Sequence, residues 1–122
     1  MRIYAIKTFV RFQRKEHISE AALVEAVDRA EEGLIDADLG GGLIKQRIAR
    51  EGKGRRGGYR TIIAYRAGLR AVFLYGFAKN ERENLDGHEL ARWKAVGRVV
   101  LEGDDNRIAA AIADGELREV EP

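Results

Sequence analysis

The sequence contains no cysteine, and it has only two histidines, one proline and one tryptophan among its 122 residues. Without cysteine, the chain can form neither a disulfide framework nor a thiolate metal site. His17 and His88 stand far apart, and the sequence has no clustered histidine and carboxylate motif of a metal centre. We therefore expect a protein that uses no metal and no other cofactor.

Long apolar runs are also absent. No segment approaches the ~20 apolar residues that are needed to cross a bilayer. Residues 1–17 carry scattered cations and no small-residue cleavage site, which argues against a signal peptide. These features predict a cytoplasmic protein with no membrane partner, in which residues 1–122 form a single domain.

The charge of the chain is unevenly distributed, although the net charge is only +2. Residues 45–82 contain eleven Lys/Arg and two Asp/Glu, whereas residues 1–44 contain six and eight, and residues 83–122 contain five and ten. A strongly basic middle between two acidic flanks is typical of a surface that binds a polyanion.

The stretch REGKGRRGGYR at residues 50–60 concentrates this charge, with five cations and four glycines. It does not match a phosphate-binding P-loop, because Gly58 and Tyr59 stand where lysine and serine or threonine are required. We expect a mobile loop between two strands, since glycine gains no stability from regular structure.

Hydrophobic spacing predicts an α+β fold, with a mainly antiparallel sheet, two N-terminal helices packed on one face of it, and C-terminal helices. Helices are predicted near residues 8–16, at 19–32 with Ser19 as N-cap, after Asp86, and at 105–115, where Gly115 caps the last short helix. The predicted strands cover residues 2–6, 43–49, 59–66 and 69–78, and the last segment either adds an edge strand or trails in solvent. Strand 69–78 is apolar on both faces and should therefore be central and covered.

With metal, thiolate and P-loop sites excluded, the side chains that remain as candidates for a functional site are cationic or phenolic. Strand alternation places Arg60 opposite to Tyr59, and it places Arg70 opposite to Phe73 and Tyr75. Guanidinium and ammonium groups bind phosphate, and tyrosine rings stack on unpaired bases. We predict an RNA-binding surface that contains Lys45, Arg47, Arg50, Arg56, Tyr59, Arg70 and Tyr75. Such a set can also promote metal-free cleavage of RNA by the adjacent 2′-hydroxyl, because cations stabilise the charged phosphorane.

Residues 53–84, KGRRGGYRTIIAYRAGLRAVFLYGFAKNEREN, resemble the core of the RelE/HigB superfamily of type II toxin–antitoxin toxins. The resemblance rests on a basic Gly-Gly-aromatic-Arg strand followed by YGFAKNE, and it extends more loosely over residues 1–110. It implies a small RelE-like (barnase/ribotoxin-like) fold. It also implies an endoribonuclease that needs no metal, enters the ribosomal A site, cuts the mRNA there and inhibits translation.

The same resemblance implies further residues and partners. Its working positions fall on Lys53, Arg55, Arg60, Lys79 and Arg82, which would be the catalytic residues. The general base stays open among Lys53, Lys79, Tyr59 and Tyr75. The implied partners are the ribosome, mRNA and a cognate antitoxin encoded by a neighbouring gene, with scope for a higher-order toxin–antitoxin assembly. The alternatives are a non-catalytic RNA- or ribosome-binding module and a plain scaffold domain.

Overall fold

The computed structural model describes residues 1–50, 54–79, 81–82 and 84–121, and for residues 54–57 it describes the backbone alone. Ten elements follow one another along these residues: β1 (Arg2–Ile6), α1 (Lys7–Lys15), α2 (Glu20–Glu31), β2 (Ala37–Gly40), β3 (Leu43–Arg50), β4 (Gly54–Arg66), β5 (Arg70–Ala78), α3 (Gly87–Glu102), α4 (Asp105–Ala113) and β6 (Leu117–Glu119). The fold is α+β, as the sequence predicted.

The two N-terminal helices are set by local signals. The Ser19 hydroxyl accepts a hydrogen bond from the Ala22 amide at 3.1 Å, which caps α2. One stripe of α2, made by Leu23, Ala26, Val27 and Ala30, is buried against the sheet. Its exposed side carries the polar residues, so burial of this stripe holds α2 on the sheet.

The turn between α1 and α2 passes through His17, whose φ of 56° is left-handed. The His17 amide donates to the Arg14 carbonyl at 3.3 Å, and the Ile18 amide donates to the Gln13 carbonyl at 3.0 Å. These two bonds form a Schellman motif, in which glycine is the usual residue at the left-handed position. Here a histidine occupies it.

The predicted antiparallel meander is confirmed, because β3 pairs with β4 and β4 pairs with β5. Strand β4 is longer than predicted: it begins at Gly54, whereas the sequence analysis placed residues 54–58 in a mobile loop. The reason is that β4 continues to pair with β3, up to the match of Arg50 with Gly54. The rest of the predicted loop, residues 51–53, lies outside the described residues. The tight connection from β4 to β5 turns at Gly68, with φ of 73°.

Across the described residues, the sheet has six strands in the order β2-β3-β4-β5-β1-β6. Strand β1 runs parallel to β5, and all other neighbours are antiparallel. Of the two alternatives for the last segment, the edge strand is the one observed, as β6. Strand β5 is therefore central, as its two apolar faces predicted.

Each face of the sheet carries its own apolar core. Helices α1 and α2 cover one face, where Phe9, Leu23 and Phe73 are fully buried. Helices α3 and α4 cover part of the other face, where Leu43, Ile62 and Leu74 are buried. We call these the α1/α2 face and the α3/α4 face.

A bulge in β5 corrects one predicted orientation. Ile62 pairs with Tyr75 and Ile63 pairs with Phe73, so Leu74 is the extra residue. Leu74 and Tyr75 both pack on the α3/α4 face, whereas Phe73 packs on the opposite one. Arg70 donates to carbonyl groups of α3, so it shares the face of Tyr75, contrary to strict alternation.

Among the residues that the structure describes, no helix is both long enough and apolar enough to span a bilayer.

Candidate functional site

The α3/α4 face changes from apolar to basic along the strands. Residues paired across β3, β4 and β5 form rows on this face, and successive rows are about 7 Å apart. The rows are Leu43, Ala64 and Val72, then Lys45, Ile62 and Tyr75, then Arg47, Arg60 and Phe77. Helix α3 packs over the first row, where Gly97 allows it to approach Leu43. The two further rows carry the cations, and we call them, together with Lys79, the basic rows.

Arg60 is held rigidly in the middle of the sheet. It lies on β4 between Arg47 on β3 and Phe77 on β5, and it is only 7% exposed. Its neighbours Tyr59 and Thr61 face the other way, as alternation predicts. A guanidinium group buried between two paired strands has little freedom, so its position is preorganised.

Lys79 follows directly after β5. Its amide donates to the Gly58 carbonyl at 3.1 Å, so the pairing of β4 with β5 continues one step beyond Tyr59 and Ala78. This bond fixes the Lys79 backbone close to Arg60, because Gly58 precedes Arg60 by two residues.

Arg82 closes the turn that leads from β5 to α3. Its two terminal nitrogens donate to the two carboxylate oxygens of Glu89, at 2.9 Å for Nη1 to Oε2, and its Nη2 and Nε donate to the Asn84 carbonyl at 3.0 and 3.2 Å. The Arg82 guanidinium also stacks over the Phe77 ring, with 5.6 Å between its central carbon and the ring centroid. The hydrogen bond to Glu89 is the main reason that the pKa of Arg82 is raised. Arg82 therefore ties the turn to α3.

Glu89 belongs at the same time to the cap of α3. The Asp86 carboxylate accepts from the Glu89 amide at 2.9 Å, and the Glu89 carboxylate accepts from the Asp86 amide at 3.3 Å, which completes a capping box. The hydrogen bond from Arg82 is the largest cause of a lowered pKa at Glu89. The carboxylate is therefore ionised beside the basic rows.

Two further contacts complete the wall of the basic rows. The Lys45 ammonium donates to the Asn84 side-chain oxygen at 2.7 Å. The Tyr75 ring stacks on Trp93 of α3 at 5.4 Å between centroids, with 25° between the ring planes. Half-buried Tyr75 thus lies between the helix and the cations.

The structure brings together five of the predicted site residues: Lys45, Arg47, Arg60, Tyr75 and Lys79 lie in or directly beside the basic rows. Arg82 lies next to them, but Glu89 engages its guanidinium. The side chains of Arg55 and Arg56, and all of Lys53, lie outside the described residues, so these predictions stay predictions.

Three predicted RNA-binding residues lie elsewhere. Tyr59 is only 4% exposed on the α1/α2 face, where its ring meets Phe12 edge to face at 5.5 Å. Arg50 stacks over that ring, so it also faces away from Arg60. Arg70 pairs with Arg66, six residues along β4 from Arg60, and it donates to the Val100 carbonyl at 2.9 Å and the Gly103 carbonyl at 2.7 Å. We therefore leave all three out of the site on the basic rows.

Burial raises the pKa of the Tyr59 phenol, and a hydrogen bond to Glu16 adds to this effect. The position and protonation of this phenol both argue against a role as general base for RNA on the basic rows. Sequence reasoning missed Asn84, Glu89 and Trp93 as neighbours of the cations. The sequence showed only that Glu89 has the spacing of a capping box with Asp86. A contact between side chains on the two sides of a turn leaves no periodic pattern in the sequence.

The described residues contain no group of three or more histidine, cysteine or carboxylate side chains with the spacing of a metal site.

Comparison with known proteins identifies the family. No curated protein matches the chain. The family model described as the RelE toxin of the RelE/RelB toxin–antitoxin system matches residues 1–120. Such a match covers both cores, the basic rows and α3. A RelB-type antitoxin is the partner that this family implies. The chain thus belongs to the RelE family and is the toxin of a toxin–antitoxin system.

Proposed function

We propose that this toxin cuts mRNA in the ribosomal A site, by attack of the RNA's own 2′-hydroxyl on the adjacent phosphorus. One observation carries the proposal: Arg47 and Arg60 stand directly opposite each other on paired strands, in the part of the sheet beyond α3. Like charges at opposed positions destabilise a sheet, whereas a phosphate placed between them is attracted by both. Antitoxin binding would block this surface and thereby silence the toxin.

The proposed reaction needs little from the protein beyond placement and charge. The 2′-oxygen bonds to phosphorus as its proton leaves, the bond from phosphorus to the 5′-oxygen breaks, and that oxygen takes up a proton. The products are a 2′,3′-cyclic phosphate and a free 5′-hydroxyl. Negative charge on the phosphoryl oxygens grows in the transition state, so preorganised cations such as Arg60 and Lys79 act there more strongly than on bound substrate.

The geometry of the sheet narrows the set of candidates for proton transfer. Tyr59 lies on the wrong face, which leaves Lys79 and Tyr75 among the described candidates, with Lys53 beyond them. Lys79 directly follows β5 and is bonded through its backbone to Gly58, so we propose that it acts as a cation on the phosphate, and that Tyr75 or Lys53 takes up the proton of the 2′-hydroxyl. No metal ion takes part in this scheme.

The test is cleavage of translated mRNA, mapped by primer extension. We expect Arg60→Ala and Lys79→Ala to lose about 10²–10³ in cleavage rate, and still to bind ribosomes and the antitoxin, because losing one donor to a developing oxyanion has this effect. Arg11→Ala removes the same charge from exposed α1 on the opposite face, and should cleave like wild type.

Two controls separate chemistry from folding and from metal contamination. Arg60→Lys keeps the charge at this 7% exposed position and should recover part of the rate. Toxin dialysed against EDTA before it meets the ribosomes should keep full activity. Full cleavage by Lys79→Ala and Arg60→Ala would place the active site elsewhere. If folded wild type binds active ribosomes but cuts nothing, the protein is instead a non-catalytic ribosome-binding module.

A further inference from the structure

A polar cleft lies on the opposite side of the sheet from the basic rows. It has a volume of about 530 Å³ and opens between the α1–α2 turn and the β3–β4 hairpin. Its polar and charged lining consists of Lys15, Glu16, His17, Ser19, Arg50 and Tyr59. None of these residues has a part in the cleavage proposed above, so the cleft requires its own explanation.

The charges of the cleft favour an anion. Lys15 and Arg50 bring two cations to it, and within the described part of the chain no carboxylate lies within 4.0 Å of either charged group. The carboxylate of the cleft, Glu16, accepts a hydrogen bond from the Tyr59 hydroxyl. The Arg50 guanidinium lies over the Tyr59 ring at 5.6 Å, and such stacking orients its fork of donors.

His17 is the second, independent observation. It holds the left-handed position of the Schellman motif, with φ of 56°, where glycine would be free of strain. The backbone of this turn thus gains nothing from a histidine. The chain nevertheless places an imidazole there, at the lip of the cleft beside Lys15. Backbone strain that folding does not require is a feature of binding sites.

We propose that this cleft binds a phosphodiester of RNA outside the cleaved codon, through Arg50, Lys15 and His17. The proposal rests on the proposed function only in taking RNA as the ligand. Arg47 and Arg50 lie about 10 Å apart on β3 and face opposite sides of the sheet. An RNA chain that passes around the hairpin therefore meets cations on both sides. The phosphate belongs either to the mRNA or to ribosomal RNA.

The experiment measures binding to two ligands separately. One is a short labelled single-stranded RNA with 2′-O-methyl riboses, which cannot be cut, and the other is ribosomes free of mRNA. We expect Arg50→Gln to weaken binding to one or both about tenfold, the usual effect of one charge-assisted hydrogen bond. For the RNA, the slope of log Kd against log salt concentration should be about 0.7 smaller for Arg50→Gln than for wild type. Weakening with the RNA alone assigns the phosphate to mRNA, and weakening with ribosomes alone assigns it to ribosomal RNA.

His17→Gly distinguishes a ligand contact from a structural role. Relief of the left-handed strain should raise Tm by roughly 4 °C, while binding becomes severalfold weaker. A purely structural histidine would give the higher Tm with unchanged affinity. Arg11→Gln, on exposed α1 and away from the cleft, should change neither quantity.

The outcomes separate this proposal from the proposed function. If wild type cuts mRNA and Arg50→Gln and His17→Gly bind both ligands like wild type, the cleft proposal is wrong and the cleavage proposal stands. If both variants keep their affinity for RNA and ribosomes but lose the antitoxin, the cleft is instead part of the antitoxin interface. Wild type that binds neither ligand would overturn both proposals.

Discussion

Arg82 illustrates how one residue can carry two different tasks. The family resemblance implied a catalytic role, whereas the structure shows its guanidinium engaged by Glu89 and the Asn84 carbonyl. In the free toxin this ion pair neutralises a cation next to the basic rows. Arg82 can bind an RNA phosphate only if it releases the Glu89 carboxylate.

We therefore expect Glu89→Gln to bind single-stranded RNA roughly fivefold more tightly, because glutamine keeps the capping box but releases the charge of Arg82. Glu102→Gln is the matched control, since it removes an exposed carboxylate from the far end of the same helix. Fluorescence anisotropy measures both affinities. Equal tightening in the two variants would indicate a general effect of net charge and would refute release of Arg82.

The acid dependence of stability provides a separate check on this ion pair. The pKa of Glu89 in the folded protein lies below its ordinary value of 4.5, chiefly because Arg82 donates to it. The pair therefore stabilises the fold above about pH 4.5 and ceases to do so as the pH falls through the lowered pKa. In urea titrations, the stability difference between wild type and Glu89→Gln should shrink below that pH.

At the scale of elements, the approach of α1 to β5 depends on the absence of one side chain. A Cβ on Gly76 would lie 2.4 Å from Cε2 and 2.6 Å from Cδ2 of Phe12. The Phe12 ring cannot easily yield, because it packs against Phe9 at 5.8 Å and Tyr59 at 5.5 Å between centroids. Helix α1 therefore packs closely on the sheet only while position 76 is glycine.

Gly76→Ala should accordingly lower the free energy of unfolding by about 1–3 kcal/mol, the usual cost of overpacking a core. Gly87→Ala is the matched control: nothing lies within 4 Å of its added Cβ, and it begins helix α3. It should be neutral or stabilising by up to about 1 kcal/mol. Urea denaturation midpoints compare the two. A harmless Gly76→Ala would mean that the α1 packing is looser than described.

The elements themselves were largely predictable, because strands β3 to β5 and helices α1 to α3 follow clear periodic or capping signals. Three features were not. Strand β2, at Ala37–Gly40, was not predicted, because it is only four residues long and ends in glycine. The bulge at Leu74 depends on the pairing of β5 with β4, and nothing in an apolar run marks which residue is extra. The start of β4 at Gly54 was also missed, since glycine, which occupies three of the first five positions of β4, disfavours strands until a neighbouring strand pairs with it.

At the scale of the whole molecule, charge distinguishes the two ends of the α3/α4 face: one end is apolar under α3, and the other carries the cations of the basic rows. Arg60, Arg47 and Lys45 share one face, and this much was predictable from alternation and composition. Tyr59 and Arg50 do not join this surface, because both lie on the opposite face of the sheet, as alternation already indicated for Tyr59. Alternation does not show that Phe12 of α1 covers Tyr59 there. Which residues of a face are buried depends on the helices that pack on it, and these helices come from distant segments of the chain.

The basic segment at residues 45–82 should dominate affinity for RNA, and this affinity should fall with salt. The four cations Lys45, Arg47, Arg60 and Lys79 contribute about 3 to the slope of log Kd against log salt concentration, at about 0.7 per phosphate contact, and contacts from Arg55 and Arg56 add about 1.4. Reversing Arg55 and Arg56 to glutamate should lower the slope by about 1.4, and reversing Arg98 and Arg107 of α3 and α4 should leave it unchanged. An affinity that does not depend on salt would contradict this electrostatic account.

The position of β1 in the sheet has a consequence for folding during synthesis of the chain. Its two neighbours in the sheet, β5 and β6, are both made much later, and at a synthesis rate of about 5–20 residues per second the interval to β6 is roughly 10 s. The local meander of β3, β4 and β5, which holds Arg60, can pair during that time, whereas the edge of β1 that pairs with β6 stays open until the end of the chain is made. A nascent chain can thus assemble the strands of the basic rows before its sheet is complete, and a RelB-type antitoxin that is already present can bind it in that interval.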